Sequence, residues 1–216
     1  MSYPFLEIKV WGELACFTRP DMKVERVSYP VITPSATRGI LEAIFWKPEI
    51  KWEVREIAVL KEIRYFSILR NEINNKAVVS TAQSWIKNDK GYFAEEDRAQ
   101  RHTLALKDVA YIIRADLLLK SHATDDIAKY RDQFRRRVEK GQYHHTPYLG
   151  CREFSAWFSP VAPTDTPFPI TTDIGRILFD LDYEEGVSGR GTPRFFSGHI
   201  QNGVFTIPVE LYKRSQ

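Results

Sequence analysis

The sequence predicts an α+β protein, in which a ferredoxin-like (RRM-like) βαββαβ unit is followed by a small C-terminal antiparallel β-sheet. Three observations lead there. Segments of strand and helix periodicity follow one another as strand, helix, strand, strand, helix, strand. Beyond Leu149 only strand-like segments recur, separated by Pro- and Gly-rich turns. A chain of 216 residues that is 43% hydrophobic and 13% aromatic can bury a sizeable core. The expected division is residues 1–148 for the first unit and 149–216 for the second.

The elements follow in order. Residues 5–11, FLEIKVW, alternate with Glu7 and Lys9 on one side, as in a half-buried strand. Thr33 or Ser35 can cap a helix in whose first turn Pro34 fits; Ile40, Leu41 and Ile44 form its apolar stripe and Pro48 stops it. Residues 51–63 alternate again and continue, or kink, toward 65–69. Residues 74–100 are polar and read as a long irregular excursion. Strand character returns over 102–120. Thr124-Asp125-Asp126 then starts a helix that runs to about Lys140 and ends at Gly141. Residues 152–158, 174–183 and 195–207 are the later strands, and residues 160–169, with four prolines, form an extended connection.

Composition narrows the function classes. A net charge of +3 is mild and names no partner by itself. The two cysteines, Cys16 and Cys151, form no CxxC pair and complete no zinc-finger set, so two buried thiols in a reducing cytoplasm are expected, with no metal and no cofactor. The start, MSYPFLEIKVWG, lacks the pattern of a signal peptide, and no apolar run approaches the ~20 residues of a membrane helix. The expectation is a soluble cytoplasmic protein.

Several runs carry a resemblance: RPDMKVERVSY (19–29), TPSATRGILEAI (33–44), WKP (46–48), RNE (70–72), RAQR (98–101) with LKDVAY (106–111), and LGCREF (149–154). In this order they resemble the type I-C CRISPR endoribonucleases, Cas family five, subtype d, of the RAMP superfamily, over most of residues 5–158. The resemblance implies an RRM-like domain with a C-terminal antiparallel sheet. It also implies cleavage of precursor CRISPR RNA beside the repeat hairpin, after which the protein stays on the 5′ handle. Its partners would be the repeat RNA and the backbone and large subunits of a type I-C Cascade complex.

The family's site combines an aromatic or histidine in an I-x-W-K-P element with an adjacent Lys-His pair. On motif and spacing these positions fall on Phe45 and on Lys129-Tyr130, so the pair keeps its lysine and has tyrosine for histidine. The expected catalytic residues are thus Lys129, Tyr130 and Phe45. Lys129 would clamp phosphate charge and would tend to lower the pKa of Tyr130. Phe45 would serve either as core or as a stacking surface. His144 and His145 are further candidates for proton transfer.

Cations fit a nucleic-acid rim. Lys129, Arg131, Arg135, Arg136, Arg137 and Lys140 lie on one helix, and Lys23, Arg26, Arg38, Lys47 and Arg70 are expected on the other side of the RNA. The Gly-rich run GVSGRGTPR (186–194) adds Arg190 and Arg194. A metal-independent nuclease is the leading expectation. A subunit that binds the handle with weak or no cleavage is the alternative, and a scaffold of the complex the third.

Overall fold

The computed structural model describes residues 3–22, 25–74, 78–88, 91–182 and 191–213. Lys23, Arg190 and most of the Gly-rich run lie outside them. The chain is α+β, with one nine-stranded sheet and three helices among the described residues. β1 (Leu6–Ala15) buries Leu6, Ile8 and Val10 on one face and leaves Glu7 exposed on the other, as the alternation requires. β2 is the short pair Arg26–Val27.

α1 (Pro34–Ile44) starts where Pro34 suits a first helical position and the Thr33 side chain accepts from the Ala36 amide at 3.2 Å; Thr33 rather than Ser35 is the cap. The helix buries Pro34, Thr37, Ile40, Leu41 and Ile44 and stops at Phe45, ahead of Pro48. The expected strand over 51–69 is two strands, β3 (Ile50–Val59) and β4 (Tyr65–Ile73).

The excursion over 74–100 is more regular than the sequence suggests. It holds α2 (Val79–Lys87), which buries no residue, and it ends in the start of β5 (Arg98–Leu119). α3 (Ile127–Glu139) is capped by the Asp126 side chain, which accepts from the Ala128 amide at 2.7 Å; it buries Tyr130, Arg131, Phe134 and Val138. Residues 152–158 yield only the short β6 (Trp157–Ser159). β7 (Thr172–Asp182) follows. The run 195–207 is a hairpin of β8 (Thr192–Gln201) and β9 (Val204–Thr206), turned by Asn202 and Gly203, both at positive φ.

The strand order is β6-β1-β5-β3-β9-β8-β7, with β2 and β4 also on β5. All pairs are antiparallel except β2 with β5. β6 and β9, both beyond residue 149, join β1 and β3 by backbone hydrogen bonds. α1 and α3 pack on the sheet and on each other, with Trp52 against Phe134 at 4.8 Å between ring centroids. No helix among the described residues is long and apolar enough to cross a membrane.

Candidate nucleic-acid interface

The outer face of α1 is built from small residues. Ser35, Gly39 and Ala43 recur at spacing four, opposite the buried stripe, and line two adjoining clefts of about 310 and 880 Å³. Both clefts share Gly39, Ala43 and Tyr148, so they form a continuous groove along the helix. A Cβ at Gly39 would meet nothing within 4 Å, which leaves the groove floor open.

The opposite wall is the segment after α3. The amides of His144 and His145 both donate to the Ala43 carbonyl, at 2.8 and 3.1 Å, and so satisfy a free acceptor at the end of α1. Leu149 N–H donates to the Phe154 carbonyl at 2.7 Å, and Cys16 N–H donates to the Leu149 carbonyl at 3.0 Å, which fastens this wall to the end of β1. Gly150 sits at φ +85°, and a Cβ there would stand 2.1 Å from the Cys16 carbonyl oxygen, so only glycine permits the close approach. The exposed imidazoles of His144 and His145 lie 4.2 Å apart at the groove mouth, beside Trp46 and Arg152. Trp46 is 52% exposed.

The three expected catalytic residues occupy different environments. Lys129 is exposed and donates to Asp125 at 2.7 Å, an ion pair that holds its ammonium above the ordinary lysine range. Tyr130 is buried in the core, and its pKa is raised rather than lowered: burial and the Glu49 and Asp125 carboxylates outweigh Lys129. Phe45 is fully buried and offers no face for stacking. Its carbonyl accepts from Trp52 Nε1 at 3.0 Å, and its ring lies under Arg137. Both rings are buried in the core between α1, α3 and the sheet. The thirteen-residue helix α3 spans about 20 Å, with Lys129 in its first turn and the histidine pair beyond its end.

The cations divide in the same way. Arg131 is a buried structural cation, hydrogen-bonded to the Pro4 carbonyl and lying over the Tyr3 ring. Arg194 is held by Asp182 at 3.4 Å and by the Leu211 carbonyl at 2.5 Å. Both side chains are engaged in internal ties. Arg38 is bound by Asp180 at 2.7 Å and Glu42 at 3.4 Å. Arg26 meets Glu72 at 3.2 Å and Glu153 at 3.6 Å, while Arg70 pairs with Glu153. Arg137 donates to the Ile44 carbonyl, and Arg135 pairs with Asp132 at 3.1 Å. Lys47, Arg136 and Lys140 are exposed.

Three residues at or near the groove do not stand out in the sequence: Tyr148, Arg152 and His122. His122 Nε2 lies 3.2 Å from the Pro48 carbonyl, against the W-K-P turn. The four-residue spacing of Ser35, Gly39 and Ala43 is the sequence signal that marks the groove.

A family model described as CRISPR-associated protein (Cas5) matches residues 5–208. A relative from Thermus thermophilus, named CRISPR pre-crRNA endoribonuclease Cas5d, is 48% identical over 96% of this chain and 93% of its own. A second of the same name, from Mannheimia succiniciproducens, is 43% identical over 94% of each chain. Two solved structures share the fold. A CRISPR-associated protein has a TM-score of 0.68 at 22% identity, over 97% of this chain and 94% of that one. A functionally uncharacterized protein, SMU1763c from Streptococcus mutans, has a TM-score of 0.67 at 19% identity over the same shares. The chain belongs to the Cas5d family of CRISPR-associated proteins.

Proposed function

We propose that this protein binds CRISPR repeat RNA along the α1 groove, cleaves it without a metal beside the repeat hairpin, and stays on the 5′ handle within a type I-C Cascade complex. The two curated relatives are named pre-crRNA endoribonucleases, which supports the substrate and the reaction class. The order β6-β1-β5-β3, with α1 and α3 packed on it, supports a ferredoxin-like platform. In this reading residues 1–148 supply most of the processing unit, and 149–216 add β6 to it and brace it.

The observation that carries the chemistry is the histidine pair at the groove mouth, whose two backbone N–H groups donate hydrogen bonds to the Ala43 carbonyl. Two adjacent imidazoles can divide the proton work. One accepts the 2′-hydroxyl proton as that oxygen attacks phosphorus; the other protonates the departing 5′-oxygen. The products are a 2′,3′-cyclic phosphate and a 5′-hydroxyl. Trp46 gives an exposed ring for a base, while Arg152 in the groove wall and Lys47 beside Trp46 supply cations for the phosphates. Lys129 adds a clamp at the far end of α3.

A second reading, a handle-binding subunit with weak or no cleavage, is favoured by one observation: Phe45 and Tyr130 are both buried. Incubation with the cognate hairpin repeat RNA in EDTA decides between them. A single cut with the stated ends is expected. Tight, salt-sensitive binding with no cut would leave the second reading.

A further inference from the structure

Outside the groove wall facing α1, the structure brings together the chain's two cysteines, 135 residues apart. The approach is built by backbone. Cys16 follows the last residue of β1, its N–H bonds to the Leu149 carbonyl, and the positive-φ Gly150 presses against its own carbonyl. Cys151 Sγ is thereby placed 3.6 Å from the Cys16 carbonyl oxygen, to which it donates, and both thiols are free.

Their surroundings are unequal. Cys16 is fully buried, with Thr18 Oγ1 3.7 Å from its sulfur. Cys151 is partly exposed, where two buried thiols were expected, and Arg26 Nη1 lies 3.9 Å from its sulfur. The Cys16 thiol, helped by Arg26, holds Cys151 down to about 6, against burial and the Glu153 carboxylate. The same contact, with burial, pushes the Cys16 thiol up. Cys151 is thus the reachable sulfur, beside a guanidinium that favours its thiolate, while Cys16 lies buried behind it.

We propose that Cys151 and Cys16 are an oxidant-reactive pair, in which Cys151 is oxidised by a hydroperoxide and Cys16 resolves it as an intramolecular disulfide. The Cys151 thiolate attacks one peroxide oxygen, the O–O bond breaks, and the departing hydroxide or alkoxide takes a proton, leaving a sulfenic acid. The Cys16 sulfur then attacks the Cys151 sulfur. The S–O bond breaks, the hydroxide takes the Cys16 proton and leaves as water, and the S–S bond forms. The hydroperoxide is reduced to water plus water or an alcohol. The inference does not depend on the RNA reading.

The test uses the intact wild-type chain, hydrogen peroxide at neutral pH, alkylation of remaining thiols, and peptide mapping without reductant. The expected result is one cross-link, Cys16 to Cys151, within a monomer and reversible by dithiothreitol. The link should also raise the thermal midpoint by roughly 5–10 °C, because it closes a long loop. In Cys16→Ser, peroxide should leave a sulfenic acid on Cys151 that dimedone captures; in Cys151→Ser, Cys16 should stay unmodified. The proposal is overturned by links between chains, by Cys151 oxidation that leaves Cys16 free in the wild type, or by two unmodified thiols under conditions that oxidise glutathione in the same tube. If either variant fails to fold, the wild-type map alone decides.

Discussion

Arg137 donates from Nη1 to the Ile44 carbonyl at 2.7 Å, joining the last turn of α3 to the last turn of α1. The bond supplies a charged donor to a carbonyl that the helix leaves unpaired, at the negative end of its dipole. Arg137 also lies 5.4 Å from the Phe45 ring centroid, just before Trp46. Arg137→Ala should cost about 1–2 kcal/mol and weaken RNA binding at Trp46. Arg135→Ala, whose side chain is 48% exposed and bound only to the neighbouring Asp132 among the described residues, should leave stability within about 0.5 kcal/mol. Urea midpoints of the two variants make the comparison.

Phe45 is the residue where resemblance and packing conflict most. Its burial predicts that Phe45→Ala loses about 3–5 kcal/mol through the cavity it leaves. Phe45→Tyr should also destabilise, by about 1–3 kcal/mol, because a new hydroxyl would need a partner in a closed core. If Phe45→Tyr keeps full stability, the ring edge has access that this packing denies.

The parts of the fold that are readable from sequence are those specified locally. The Thr33-Pro34 start of α1 and the Asp126 start of α3 are side-chain-to-amide caps within three residues, and β1 carries its burial pattern in its alternation. α2 is not readable because it buries nothing, so no core stripe marks it. Asn202-Gly203 is a hairpin signal masked by the apolar residues on both sides, which read as one strand. The site is less legible, since its wall is made by pairings such as His144 to Ala43 and Leu149 to Cys16. Charge is legible but its use is not: Arg38 and Arg26 look like free cations until Asp180, Glu72 and Glu153 arrive from distant segments.

Glu42 lines the groove with its pKa raised, because burial outweighs Arg38. A carboxyl whose folded pKa lies above its unfolded value weakens the fold at neutral pH, and the penalty fades as pH falls through the folded pKa. Glu42→Gln should therefore be more stable than the wild type at pH 7, with the gap closing toward about pH 4. Arg38 keeps Asp180 at 2.7 Å. Removing a negative charge from the groove should also tighten RNA binding at neutral pH. Urea midpoints across that pH range and a titration with repeat RNA check both signs.

Arg152 is an exposed cation lining the groove and Lys47 an exposed cation next to the groove residue Trp46, whereas Arg131 is buried. For single-stranded RNA, each cation withdrawn from a phosphate should flatten the log–log salt slope by about 0.7. Lys47→Ala and Arg152→Ala should do so additively without loss of stability. Arg131→Ala should instead lower the urea midpoint, and its folded fraction should bind with the wild-type slope.

The histidine pair and Lys129 separate proton transfer from charge clamping. Replacing His144 and His145 with alanine leaves the backbone bonds to Ala43 available, so the groove wall should persist and RNA affinity should stay within about threefold. Removing both imidazoles takes away the acid and the base, and single-turnover cleavage should fall by about 10²-fold or more. Lys129→Ala removes an exposed cation paired with Asp125 four residues earlier, so stability should hardly change. Without that cation at the far end of α3, RNA binding should weaken about threefold and the salt slope flatten by about 0.7, with the cut position unchanged. Full-rate cleavage by the double histidine variant would move the proton chemistry elsewhere, first to His122 on the Pro48 carbonyl, and unchanged RNA affinity of Lys129→Ala would remove α3's first turn from the RNA path.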